Sequence, residues 1–135
     1  MNKVYYLLIL IVFQSCYFGV GLVETEIEDD YFLFANNSLE ELSVWLKDSG
    51  GTNELIIPQT VFAIGNNERF IIAKSHPFDS ETGIDRKTTF YHIIEIDKKS
   101  TSQSQKLTYA QFVEERERLK ISEELEFHTI FDEVK

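Results

Sequence analysis

Two short apolar runs, residues 61–64 and 69–74, stand on either side of Gly65-Asn-Asn-Glu68. Both are rich in β-branched and aromatic side chains, and the Gly/Asn stretch between them reads as a four-residue hairpin loop. A hairpin there commits the middle of the chain to antiparallel sheet. The neighbouring segments extend it. Residues 31–35 are an aromatic strand candidate, and residues 54–57 are a strand stopped by Pro58. Residues 42–46 read as a strand or a short helical turn, because Ser38-Leu-Glu-Glu41 has the form of a capping box. Asp48-Ser-Gly-Gly51 is a turn signal. In the longest strand candidate, residues 88–96, Phe90, His92, Ile94 and Ile96 share one face. Thr89, Tyr91, Ile93 and Glu95 share the other, so both faces are expected to be covered. The polar stretch 77–85 reads as a loop. Strands joined by short turns predict an antiparallel β-meander of about five to six strands.

One helix follows. Thr108 is its expected N-cap, with Gln111 three residues on completing a capping box and Leu107 and Phe112 forming a hydrophobic staple. Tyr109, Phe112, Val113 and Leu119 fall on one stripe, and Glu114 and Arg118 are spaced to pair on the outside. This amphipathic helix is expected to pack on one face of the sheet, with residues 124–131 adding a final strand. The class is α+β. There is no internal repeat and no second-domain boundary.

Ahead of this domain, Met1-Asn2-Lys3 precedes ten apolar residues, 4–13, and then Gln14-Ser15-Cys16. These are the n-region, h-region and small-residue boundary of a secretory signal. Ten residues make only about 15 Å of helix, half of a bilayer core. A cysteine directly after a small residue resembles the lipobox of bacterial lipoproteins, with Phe13-Gln14-Ser15 as a loose variant of the usual Leu, small, Gly/Ala order. The thiol of Cys16 would then carry diacylglycerol, and two acyl chains anchor stably where one is marginal. Two other readings compete: an uncleaved spanning helix over residues 4–23, interrupted by Gln14, Ser15 and two glycines, or a plain cleavable signal. The expected organisation is a lipoprotein signal peptide over residues 1–15, an acidic tether over 16–30 and a single domain over 31–135. Five of the seven residues from Glu24 to Asp30 are acidic, which reads as a solvated, self-repelling tether.

Charge and cysteine usage exclude several classes. Thirteen basic and 23 acidic side chains give a net charge of −10, the wrong sign for a phosphate backbone, so no nucleic acid is expected. A single cysteine excludes an intramolecular disulfide framework and a multi-Cys zinc site. None of His76, His92 and His128 is spaced from another at i,i+2 or i,i+4, so no local chelate is visible and neither metal nor cofactor is expected. His92 on an apolar strand face reads as a hydrogen-bonded core residue, and His76 before Pro77 as a strand-end residue better placed for function. Asp79-x-Glu81-x-Gly83-x-Asp85 only faintly matches a calcium loop: the glycine is misplaced and the closing Glu is missing. Tyr31, Phe32, Phe34 and Trp45 read as core or sheet covering. No Gly-x-Ser-x-Gly elbow, P-loop or dinucleotide-binding pattern is present.

The run Ile56-Ile-Pro-Gln-Thr-Val-Phe-Ala-Ile-Gly-Asn-Asn-Glu-Arg-Phe-Ile-Ile-Ala-Lys-Ser-His-Pro77, then Phe90-Tyr-His-Ile-Ile94, then Leu107-Thr-Tyr-Ala-Gln-Phe-Val-Glu-Glu-Arg-Glu-Arg-Leu119 resembles a family of small bacterial lipoprotein-like proteins of unknown function. The resemblance covers about residues 30–130. It implies export, lipid anchoring and an α+β domain, and it implies no enzyme activity. The expectation is therefore a non-enzymatic envelope lipoprotein, anchored through Cys16 in a bacterial cell membrane or outer membrane and facing the periplasm or exterior. Its acidity suggests a basic envelope partner whose attraction weakens with salt. The alternatives are an inhibitor or immunity-type protein against a basic enzyme or toxin, and a small envelope hydrolase using His76 or His92 with a carboxylate.

Overall fold

The computed structural model describes residues 22–135. Segment 1–15 and Cys16, with the lipidation expected there, lie outside the described residues, as does nearly all of the alternative span 4–23. Among the described residues ten strands run in order: β1 (Val23–Glu28), β2 (Tyr31–Ala35), β3 (Ser43–Lys47), β4 (Asn53–Ile57), β5 (Val61–Asn66), β6 (Phe70–Ser75), β7 (Phe78–Asp79), β8 (Gly83–Ile84), β9 (Phe90–Glu95) and β10 (Thr129–Ile130). Among the described residues one α-helix, α1 (Tyr109–Arg118), lies between β9 and β10. The fold is α+β and antiparallel, as the sequence predicts. Its strands divide into a sheet ordered β1-β2-β3-β4, a second ordered β10-β5-β6-β9, and a β7-β8 ribbon.

The two-residue period of a strand explains the layers. In β6, Ile71 and Ala73 enter the core between the sheets, meeting Leu33, Val44 and Ile57 of the first sheet. Phe70 and Ile72, on the opposite face, pack with Leu107, Phe112, Ile121 and Leu125 on the helix side. β9 divides the same way, with Ile94 in the inner cluster and Tyr91 and Ile93 against the helix cluster. Both faces of this sheet are covered, the arrangement expected for residues 88–96.

The β5–β6 hairpin forms as expected, with Asn67 Oδ1 accepting from the N–H groups of Arg69 (2.9 Å) and Phe70 (2.8 Å). Gly65 is required by its neighbour: a Cβ there would lie 2.1 Å from the carbonyl oxygen of Glu126. Of the two readings of residues 42–46, the strand forms, as β3, and the helical turn is a 3-10 turn before it, at Leu39–Glu41. The helix begins with the expected capping box, Thr108 Oγ1 accepting from Gln111 N–H at 3.2 Å and Gln111 Oε1 from Thr108 N–H at 2.9 Å.

Four expectations are corrected. Residues 24–30 are no solvated tether, since Val23–Glu28 is a strand registered on β2 from Val23↔Ala35 to Glu28↔Tyr31. Val23 and Ile27 pack against the inner core, and the alternate carboxylates fall on the outside of an edge strand, where they discourage pairing with another chain. The helical stripe is narrower than its spacing suggests: Phe112 is buried, but Tyr109 and Val113 are exposed. Arg118 pairs with Glu115 instead of Glu114. Finally, only Thr129 and Ile130 of residues 124–131 join a ladder, opposite Ile64 and Ala63. Leu125 and Phe127 serve as core plugs instead.

Candidate binding cleft

After β9 the chain makes a 3-10 turn, Ile96–Lys98, and then a strap over residues 99–106 that returns to Leu107. The strap is tied at three places. Lys99 Nζ reaches Asp30 (3.0 Å) and Asp29 (3.3 Å) in the β1–β2 turn, contacts that raise the lysine's pKa. Ser104 N–H donates to Ile56 O of β4 (2.8 Å), and Leu107 exchanges both backbone hydrogen bonds with Tyr91 of β9 at 2.9 Å. The strap thus joins the outer strands of the two sheets, β4 and β9. Between it, the end of β9 and α1 lies a cleft of about 390 Å³.

The cleft combines three surfaces. Ile56, Ile93 and Leu107 are part of its apolar floor. The strap supplies Ser and Gln side chains from Ser100-Thr-Ser-Gln-Ser-Gln105, a run without charge in a chain that is 27% charged. The remaining wall carries two ion pairs, Lys98 Nζ–Glu95 Oε1 at 2.8 Å and Arg118 Nε–Glu115 Oε2 at 3.0 Å. The Arg118 hydrogen bond holds the Glu115 carboxyl below the ordinary carboxylate range. At the inner end, the hydroxyls of Tyr31 and Ser104 are buried and have no hydrogen-bond partner in the protein. Burial pushes the Tyr31 phenol up, opposed by the nearby Lys99 ammonium. The cleft therefore offers neutral donor–acceptor groups above an aliphatic floor.

The residues singled out from the sequence lie elsewhere. His92 is fully buried, with Nε2 2.8 Å from Ser75 Oγ, and burial, followed by repulsion from Lys106, lowers its pKa to about 4. His76 is also buried, stacked on Phe62 with centroids 4.2 Å apart. Its Nδ1 lies 2.8 Å from Thr88 O, which only accepts, so Nδ1 carries the proton and Nε2 is a bare acceptor. Neither ring hydrogen-bonds a carboxylate. His76 is thus buried in the core, although its strand-end position before Pro77 suggested a loop residue. His128 is exposed and bonds Asn66 and Thr129. Asp79 Oδ1 accepts from the N–H groups of Glu81 (2.8 Å) and Thr82 (3.0 Å), which lowers its pKa and makes it a turn former. Among the described residues, no group of three or more His, Cys, Asp or Glu is placed to hold a metal ion, and no helix is long and apolar enough to cross a membrane. Tyr31 and Phe32 are buried and Phe34 and Trp45 half-buried, as sheet covering should be. Sequence reasoning missed the strap and Ser104; the run of uncharged polar residues was the available signal.

A family profile described as Protein of unknown function (DUF3997) matches residues 28–134. The chain belongs to this family. The matched region runs from the end of β1 to the end of the inner core at Val134, so the cleft, the strap and both buried histidines are all part of the DUF3997 domain. Neither the curated proteins nor the solved structures contain a match to the chain.

Proposed function

We propose that this DUF3997 protein is an exported bacterial lipoprotein, held at the envelope by an acylated Cys16, whose domain binds a ligand without catalysing a reaction. The observation that carries the reading is Ser15-Cys16 at the end of the apolar run 4–13. Loss of residues 1–15 removes one lysine and leaves a net charge of −11. A second observation concerns reach. Leu22 N–H already donates to Asn36 O (3.1 Å), so the chain from Cys16 to the domain extends at most about 20 Å. Such an anchor would hold the domain against the membrane surface. The non-catalytic part of the reading rests on His76 and His92, both buried and without a carboxylate, and on a cleft whose ionised groups are already paired.

Expression of the full chain in a bacterial host, with and without Cys16→Ala, tests the anchor by intact mass and detergent partitioning. The expected species lacks residues 1–15, carries a lipid-sized mass increase and partitions into detergent, and the substitution abolishes all three. An unmodified full-length chain, or a cleaved chain without lipid, overturns the proposal.

A further inference from the structure

We infer that the cleft under the strap is a binding site for a neutral polyhydroxylated ligand of mono- or disaccharide size, anchored on the hydroxyls of Tyr31 and Ser104. Four buried side-chain polar atoms among the described residues have no protein partner, and two of them, Tyr31 Oη and Ser104 Oγ, belong to residues that line this one cleft. A buried polar atom without a partner is costly, and native structures keep few of them. A tyrosine whose ring alone was needed could be phenylalanine. The hydroxyl is explained if a ligand completes its hydrogen bonds.

The ligand class follows from the groups on offer. A hydroxyl both donates and accepts, and so does the side-chain amide of Gln105 beside them, which matches a partner that is itself rich in hydroxyls. Ionic ligands are disfavoured. Lys98 and Arg118 are held by Glu95 and Glu115, so the wall is neutral even though the chain carries −10, and an anion or cation would have to break a pair. Ile56, Ile93 and Leu107 suit the C–H face of a sugar ring. The volume of about 390 Å³ falls at the small end of the range of about 300–1,000 Å³ typical of small-molecule sites.

Access requires the strap to yield, because both hydroxyl oxygens are closed off from solvent. The structure makes that movement local. Lys99 and Leu107 pin the ends of the strap, whereas Ser100–Gln103 is exposed and, among the described residues, has one hydrogen bond, from Ser102 N–H to Ser100 Oγ at 3.3 Å. The ligand would enter by lifting Ser104 off Ile56 O and would re-form contacts to the strap once seated.

This inference rests on the binding-domain reading above but not on the anchor, so its test is independent of the fate of Cys16. The full chain, ¹⁵N-labelled and held in a detergent without sugar headgroups, is titrated with glucose, N-acetylglucosamine and cellobiose, with inorganic phosphate and trialanine as controls. The expected result is saturable shifts at the amides of Ile56, Ser104 and Gln105 with at least one saccharide. Tyr31→Phe and Ser104→Ala should each weaken that binding about tenfold, the worth of one hydrogen bond to a buried group, without lowering the melting temperature. A merely structural tyrosine would show the opposite pattern, with lower melting and unchanged affinity. The inference is overturned by that pattern, by no saturable shift up to about 100 mM saccharide, or by shifts with phosphate or trialanine alone.

Discussion

Among the described residues, buried polar atoms without partners occur at two places, and the two differ in kind. Around His76 and His92 each ring keeps one hydrogen bond, to Thr88 O or Ser75 Oγ, and leaves its second nitrogen bare among packed side chains. At the cleft, the hydroxyls of Tyr31 and Ser104 have no hydrogen-bond partner and lie closed off under the strap, on residues that line a cleft of about 390 Å³. A bare imidazole nitrogen costs little where the partnered nitrogen holds the proton, as Nδ1 of His76 does, because the other is then a lone pair. An O–H with nothing to donate to is the costlier arrangement. The first site therefore reads as core architecture. The second reads as a surface waiting for a partner.

The sharpest way to test the contrast is pH, because the histidine site contains a base, His92, whose proton affinity falls on folding. Burial holds His92 at about 4, against about 6.5 for a free imidazole. The folded state thus binds fewer protons than the unfolded state between those values. The stability that depends on a neutral His92 is complete above about pH 6.5 and is lost as pH falls toward 4. The span corresponds to an effect on the order of 3 kcal/mol. Depressed carboxylates such as Asp79, Asp85 and Glu115 lose stability in the same direction, but only below their own unfolded values near 4. Urea denaturation between pH 7 and 4.5 isolates the histidine limb. His92→Gln should flatten it; a limb unchanged in the variant would show that the imidazole is not the group being protonated.

How far the sequence revealed these two sites depends on the range of the interaction. The hairpin at Gly65, the two covered faces of β9 and the Thr108 cap are local patterns, and all three were legible. β1 was not, because five acids in seven residues outweighed the alternation of Val23, Thr25 and Ile27, which only a neighbouring strand makes decisive. The pairing of Arg118 depended on a choice between i−3 and i−4 partners that spacing alone leaves open. His92 was legible as a core residue because its strand face was apolar, whereas the core position of His76 depends on Phe62 and Thr88 folding around it. The cleft lay furthest out of sight. It is assembled from β2, β4, β9, the strap and α1, and nothing in the local sequence around Tyr31 announces that its hydroxyl will lack a partner.

A second, smaller effect distinguishes the sites by its sign. Tyr31→Phe removes an oxygen that has no partner in the folded protein while keeping the ring in the core. The unfolded chain loses only a well-solvated hydroxyl, so the variant should be more stable by about 1 kcal/mol. His92→Phe removes an imidazole that does have a partner and leaves Ser75 Oγ without its 2.8 Å contact, so it should be less stable. Chemical denaturation of both variants at pH 7 reads the two signs directly. A destabilised Tyr31→Phe would mean that the phenol is satisfied within the protein, and the distinction between the two sites would collapse.

An effect of the same size separates the sites by location. Thr108→Ala removes one partner of the capping box, and loss of such a cap costs about 1 kcal/mol. That loss is not shared evenly across the molecule. The helix contributes Glu115, Arg118 and Leu119 to the cleft wall, whereas His76 and His92 lie on the other side of the second sheet, in contact with β5 and β6 residues. Fraying from Thr108 should therefore loosen the cleft first, and hydrogen exchange at the amides of α1 and Leu107 should quicken while exchange at Ala73 and Ile94 stays near its original rate. Equal acceleration at both places would mean that helix and inter-sheet core open as one cooperative unit. The cleft could then be reshaped only by unfolding the domain, and the local movement of the strap that ligand entry needs would have no physical basis.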